Sequence, residues 1–300
     1  MEHRACRLRT LIESDDLTFL MEAHDGLSAR IVEEAGFAGI WASGLTLSAS
    51  QAVRDCNELS WTQVLDAIEL MADATRIPIL VDGDSGHGNF NNTRRFVRKL
   101  AQRGAAGVCL EDKRFPKTNS FVNGTSQELA SIDEFTGKIK ASKDALRDDQ
   151  FVVVARTEAL VAGRDVAEAL TRAEAYWRAG ADAILIHSAK PDASEVLEFK
   201  RRWGSTLPVI LVPTKYHATP TETFRAHGFA VVIWANHLLR AAVTAMQATA
   251  ARLFADQCLA GVEPAVAALQ EVFRLQNLDE LLRAEKRYLP APTTALRAIA

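Results

Sequence analysis

No apolar run in this sequence of 300 residues reaches the ~18 that a membrane-spanning helix requires. A strong charge of either sign is also lacking. The formal net charge is -3, which gives no electrostatic reason to expect nucleic acid or an anionic membrane as a partner. Cysteine is sparse: Cys6, Cys56, Cys109 and Cys258 stand far apart with no CxxC pair. That excludes a disulfide framework and leads us to expect reduced thiols in a cytoplasmic protein. With no nearby base identifiable, Cys56 reads as a packed thiol rather than a nucleophile. Met1 to Thr10 is charged and lacks the apolar stretch of a signal peptide. No GxGxxG follows the first apolar run, which weighs against an open dinucleotide-binding sheet. No low-complexity segment or linker divides the chain.

What is present is the balance of a globular protein, 48% hydrophobic and 24% charged. Apolar runs rich in Val, Ile and Leu recur at residues 17–22, 38–42, 77–81, 106–110, 151–155, 183–186, 209–212 and 230–234. Segments 26–35, 61–75, 92–104, 165–180, 193–203 and 221–226 place apolar residues at three- and four-residue spacing, the period of a helix. Gly36, Gly104, Gly180 and Gly228 sit where helices should stop. Continuous apolar strands alternating with helices predict an α/β fold, a parallel sheet closed into a (β/α)8 barrel. Leu239, Val243, Met246, Ala250 and Leu253 mark one further amphipathic helix, and Val266 to Tyr288 a further helical pattern before Pro290. The expected organisation is one barrel domain over 1–300, with 237–300 a helical extension that packs against a partner subunit.

In such a barrel the active site lies at the C-terminal ends of the strands. Those ends read Ser43-Gly44, Asp82 and Asp84, Glu111, Arg156, His187, Thr214 and Asn236. Two carboxylates about 4 Å apart repel by on the order of 4 kcal/mol at an effective dielectric near 20. Asp82, Asp84 and Glu111 therefore call for a proton or a cation between them, and an all-oxygen set favours Mg²⁺ or Mn²⁺. Salt bridges to Lys113 or Arg156 are the plainer alternative. Arg156 offers a planar fork to a carboxylate or phosphoryl group. His187 is either a ligand contact or a histidine merely hydrogen-bonded in place. Ser43 and Gly44 can present backbone amides to an oxyanion. His87 and Asn89 are expected near water or the metal shell, and Asn91-Asn92 at the opening of the next helix. The polar stretch 111–120 carries Lys113, Lys117 and the amide of Asn119.

The pattern Glu111-Asp112-Lys113, five residues, then Asn119-Ser120 resembles the signature of the phosphoenolpyruvate phosphonomutases, in the isocitrate lyase superfamily. The similarity extends to Gly39-Ile40-Trp41-Ala42-Ser43-Gly44, Asp82-Gly83-Asp84-Ser85-Gly86, Val154-Ala155-Arg156-Thr157-Glu158-Ala159, Val212-Pro213-Thr214-Lys215-Tyr216 and Ile233-Trp234-Ala235-Asn236-His237. The resemblance implies conversion of phosphoenolpyruvate to phosphonopyruvate, with formation of a C–P bond, in phosphonate biosynthesis. It implies Mg²⁺, bound directly by Asp82 and through water by Asp84, Glu111 and Asp55. It puts Trp41, Ser43, Gly44, Asn119, Ser120, Arg156 and His187 on the substrate, with the Ser43 and Gly44 amides on its carboxylate. Lys117 and Asn119 fall on a loop that closes over the phosphoryl group. Asp55, indistinguishable by spacing from an ordinary loop aspartate, matches an aspartate beside the transferring group, as nucleophile or as stabiliser. A homo-oligomer, dimer or tetramer, with an exchanged terminal helix is also implied.

Gly83, Ser85 and His87 depart from many relatives, which carry Ala, Thr and an aromatic there. Gly83 is expected to loosen the turn. Two related activities compete. Phosphonopyruvate hydrolases tend to carry Thr at the position of Asn119. The carbon–carbon lyases carry Cys in this loop, and residues 112–125 contain none.

Overall fold

Eight parallel strands pair in sequence order and close on themselves, β1 with β8. They are β1 (Thr18–Ala23), β2 (Gly39–Ala42), β3 (Ile79–Asp82), β4 (Gly107–Glu111), β5 (Val152–Thr157), β6 (Ala183–Ile186), β7 (Val209–Leu211) and β8 (Val231–Trp234). This is a computed structural model, and it describes residues 3–122, 124–146 and 150–290. Each expected strand is present, displaced by at most two residues at either end. β3, β4 and β5 run one or two residues further than expected, so that Asp82, Glu111 and Arg156 lie within strands.

The barrel helices are α1 (Arg4–Glu13), α2 (Gly26–Glu34), α3 (Gly44–Ser50), α4 (Trp61–Ala74), α5 (Phe90–Gln102), α6 (Ile132–Asp144), α7 (Val166–Arg178), α8 (Ser194–Trp203) and α9 (Thr221–Ala226). Their starts are written in capping chemistry: Asp25 with Ser28, Ser60 with Gln63 and Asn89 with Asn92 form reciprocal capping boxes. The four glycines expected to stop helices all have positive φ. Asn89 is therefore a cap, and the expectation that it serves a metal shell is corrected. α5 starts at Phe90, two residues before the expected Asn92.

Two packed regions result. One lies between strands and helices, including Phe96, Phe135, Ile139, Phe199 and Phe224. The other fills the barrel, with Leu20, Trp41, Leu80, Cys109, Val154, Leu185, Ile210 and Ile233. Leu8 and Ile12 of α1 join the second, and a Cβ on Gly107 would come within 2.9 Å of Leu8 Cδ2. α1 thus plugs the N-terminal end and leaves only the other end open for chemistry. Losing one such buried Leu typically costs about 2–5 kcal/mol.

The chain divides into two units, Met1–Ala241 and Ala242–Ala300. In the second unit the described helices are the continuation of α10 (His237–Asp256), α11 (Leu269–Leu275) and α12 (Leu278–Tyr288). The single pattern expected over Val266 to Tyr288 is thus two helices, broken at Asn277, whose φ of 59° is left-handed. Residues 291–300 of the expected extension lie outside the described residues.

Candidate active site

The C-terminal strand ends surround a cavity of about 50 Å³. Its wall includes Trp41, Ser43, Asp55, Asp82, Glu111, Lys117, Asn119, Ser120, Arg156 and His187. Asp84 and Gly44 stand just behind it. The Gly44 amide donates to Asp82 Oδ2 at 3.2 Å. A Cβ at Gly44 would sit 3.0 Å from Asp84 Oδ1 and 3.2 Å from Asp82 Oδ2, so a larger residue there would push these acids back by a few tenths of an ångström. The Gly44 amide therefore meets a carboxylate of this chain rather than the cavity, which differs from the expected substrate contact.

The turn after β3 is braced from behind. Asp84 has a φ of 49°. Buried Lys138 of α6 donates to the Ser85 carbonyl at 3.0 Å, and Gly83 N donates to Cys109 O at 2.8 Å. Gly83 does not leave slack here. A Cβ there would lie 2.6 Å from Val108 Cγ2, so Val108 occupies the space that an alanine would need. His87 lies edge-on to Phe96 with ring centroids 4.6 Å apart, and burial pushes its imidazole down to about 4. It packs on α5 as a neutral ring.

Residues 112–114 and 128–130 pair as a short antiparallel stem between β4 and α6. Arg114 N donates to Glu128 O and Ala130 N to Asp112 O. The arm between folds over the cavity. Lys117 Nζ lies 2.9 Å from Asp84 Oδ1 and also pairs with Asp55 Oδ1. Asn119 Nδ2 donates to Asp55 Oδ2 at 2.6 Å. Asn57 completes the closure: its Oδ1 accepts from Lys117 N at 2.7 Å, and its Nδ2 donates to Asp84 Oδ2 at 2.8 Å. Nothing in the spacing of the sequence pointed to Asn57.

The acids differ in electrostatics. Asp82 is packed among protein atoms, and this burial, then Asp84 beside it, pushes its carboxyl up to about 7. Asp84 is raised by burial, against the pull of Lys117. At Asp55 burial works upward too, but Lys117 and the Asn119 hydrogen bond outweigh it and hold the carboxyl below its usual range. Glu111 lies 3.5 Å from both Lys113 Nζ and Arg156 Nε. The plainer salt-bridge reading of Glu111 is therefore real, but it does not extend to Asp82.

Among the described residues, no three carboxylate, imidazole or thiolate groups are placed to ligate one ion together. Mg²⁺ needs fewer, because it keeps several waters and takes one or two carboxylates plus substrate. An oxygen-only set in which burial, and then Asp84 beside it, holds the Asp82 carboxyl up to about 7 fits such a hard cation.

Arg156 Nη2 and His187 Nδ1 lie 2.9 Å apart. Arg156 Nη2 donates to Ser120 Oγ at 2.9 Å. Glu158, quoted in a motif but given no role, lies between them: its Oε1 accepts from Arg156 Nε at 2.5 Å and lies 2.9 Å from His187 Nδ1. Lys113 Nζ ties Thr118 O and Ser120 Oγ at 2.9 and 2.7 Å. The contacts of His187 with Glu158 and of Arg156 with Ser120 join different strand ends, so only the fold reveals them.

The pattern of the family described as phosphoenolpyruvate phosphomutase matches residues 8–254. The chain belongs to the phosphoenolpyruvate phosphomutase family. A relative of that name from Tetrahymena pyriformis is 58% identical over 286 residues, covering 95% of each chain. A solved phosphoenolpyruvate phosphomutase from Streptomyces platensis subsp. rosaceus superposes with a TM-score of 0.93 at 45% identity, over 96% of this chain and 100% of the other. A phosphonopyruvate hydrolase solved with oxalate and Mg²⁺ superposes at 0.91 and 40% identity, over 96% and 100%. The phosphomutase family thus shares its barrel with a hydrolase, and the fold alone does not separate the two.

Proposed function

We propose that this chain interconverts phosphoenolpyruvate and phosphonopyruvate, with Mg²⁺ as its metal. The observation that carries the reading is the closed arm: Asn119 and Lys117 both rest on Asp55, above the cavity that Arg156, His187 and Ser120 line. A mutase must hold an enolate and a phosphoryl group together and keep water out until carbon attacks. The arm supplies an amide and an ammonium in place of solvent. With the arm down the cavity is only about 50 Å³, which supports a substrate entering as the arm lifts.

The residues divide the work. Arg156, His187, Ser120 and Asn119 present donors to the phosphoryl oxygens. Asp55 stays ionised beside the transferring group, fixed by Lys117 and Asn119. Ser43 faces the end that would hold the substrate carboxylate, and Trp41 floors the cavity. Asp82 is the direct ligand proposed for Mg²⁺, with Asp84, Glu111 and Asp55 acting through water; when bound, the ion supplies positive charge for the enolate and phosphoryl oxygens. Mn²⁺ would serve in its place.

The same reading makes the protein a cytoplasmic homo-oligomer. Among the described residues no helix is long and apolar enough to cross a membrane. In the Met1–Ala241 unit, Leu17, Phe19, Phe37 and Trp234 line an apolar groove beside β1 and β8. In the other unit, α11 and α12 have no buried residue. Phosphonopyruvate incubated with and without Mg²⁺, with products followed by phosphorus NMR, tests the activity.

A further inference from the structure

We propose that Glu158 is a positioning residue of the anion subsite: it holds Arg156 and His187 on one oxygen and lets His187 take up a proton as the anion enters. The inference rests on the functional reading above, because it needs a phosphoryl-bearing ligand.

The geometry is compact. Glu158 follows β5 and is wholly buried, its backbone N–H donating to Asp112 Oδ1 at 2.8 Å. Oε1 takes Arg156 Nε and faces His187 Nδ1. Oε2 lies 3.4 Å from Lys113 Nζ and has no hydrogen bond among the described residues. An isolated buried carboxylate is costly, and here three cationic or potentially cationic groups surround it. Burial works against its charge, but Arg156, Lys113 and His187 hold it well below the usual carboxylate range.

His187 is the member whose charge is open. The residue lines the cavity, and its Nε2 is buried with no hydrogen-bond partner among the described residues. The charged groups facing the ring are Arg156 and Glu158 from the end of β5 and Lys113 from the segment after β4; the Phe121 ring packs against it with centroids 5.4 Å apart. Burial lowers its proton affinity, with Glu158 opposing, so the free ring is neutral at neutral pH. Nδ1 lies 2.9 Å from both Glu158 Oε1 and Arg156 Nη2. Glu158 Oε1, held ionised, can only accept, so we assign the Nδ1 proton to that contact, with Arg156 Nη2 donating to Ser120 Oγ. Which ring nitrogen carries the proton is set by the bond that the other makes. Nε2 is then left bare for a ligand.

The local charges explain why that matters. Glu111 and Glu158 balance Arg156 and Lys113, so an entering anion meets a neutral cluster and a nitrogen lone pair. A proton taken from bulk water onto Nε2 turns both into attractions. The imidazolium then donates Nδ1–H to Glu158 and Nε2–H to a phosphoryl oxygen.

The test is calorimetry of phosphoenolpyruvate binding with Mg²⁺ present, in buffers of different ionisation heat. It is run near pH 8, above the ordinary histidine value of about 6.5. The parent should take up about one proton per ligand bound. Glu158→Gln should take up almost none and bind at least ~10-fold more weakly, as expected when a supporting partner is lost. A merely structural Glu158 would leave the proton count per bound ligand unchanged, and that result would overturn the proposal. So would a parent that binds without uptake, which leaves the functional reading intact. If Glu158→Gln does not fold, His187→Asn decides: uptake that survives in that variant rules out His187 as the acceptor. A parent that fails to bind phosphoenolpyruvate overturns the functional reading and this inference together.

Discussion

Asn119 Nδ2 lies 2.6 Å from Asp55 Oδ2, although the two residues come from different strand-to-helix connections. One amide thus latches the arm after β4 to the segment after β2, directly over the cavity. Its Oδ1 accepts from Phe121 N at 2.9 Å, which fixes which face of the amide is offered. Losing one preorganised donor of this kind typically costs on the order of 10²–10³ in rate. Asn119→Ala should therefore cut isomerisation of phosphonopyruvate at least ~10²-fold while thermal stability and Mg²⁺ binding stay near parental values. Some of the remaining turnover should divert to pyruvate and phosphate. An unchanged isomerisation rate would remove Asn119 from the mechanism.

The metal reading predicts a pH dependence with a definite sign. The Asp82 carboxyl, pushed up to about 7, keeps a proton in the folded metal-free protein that the unfolded chain loses above about pH 4. Its contribution to the stability of the metal-free protein is complete below about pH 4 and is lost as pH rises to about 7. Mg²⁺ competes with that proton, so its affinity should climb through the same window and then level off. Titration calorimetry at several pH values measures this. Asp82→Ala should abolish both the pH-dependent binding and turnover. Full activity after exhaustive dialysis against chelator would contradict the metal assignment.

Asp112 sits in the middle of the most informative motif, yet it is a brace. It accepts from Glu158 N, from Tyr176 Oη at 2.6 Å and from Arg172 Nη1 at 3.3 Å, and none of these contacts faces the cavity. Breaking a buried pair by removing one member typically costs about 3–5 kcal/mol. Asp112→Ala should lower the urea midpoint accordingly, and residual activity should track the folded fraction. A stable but inactive variant would move Asp112 into the chemistry.

The helices beyond the barrel carry the assembly prediction. Phe254 is 86% exposed, Leu269 65% and Tyr288 72%. Apolar side chains so open are a liability unless something covers them. Light scattering at micromolar concentration should give a dimer or tetramer, and a chain ending before α11 should lose that state. A monomeric mass for the full chain would contradict it.

The strands were legible because parallel strands buried on both faces read as continuous apolar runs. α1 was not, since Leu8 and Ile12 lie among arginines and its role as a plug needs the barrel to exist. α6 was missed for a similar reason: Lys138 looks like a surface lysine until its Nζ is found on the Ser85 carbonyl. The strand-end acids, Arg156 and His187 were found by position, and Asp55, Lys117 and Asn119 by the family pattern they match. Glu158 and Asn57 were hidden because His187 and Lys113 in the one case, and Lys117 and Asp84 in the other, lie on other strands and loops. Spacing along one segment carries no record of such contacts.

The most direct test of the central reading starts from phosphonopyruvate and Mg²⁺ and follows phosphorus by NMR until the signals stop changing. The account predicts a phosphoenolpyruvate resonance growing as phosphonopyruvate falls, with little free phosphate, and no conversion once the metal is chelated. Release of free phosphate with pyruvate as the main product would make the enzyme a hydrolase and contradict the account.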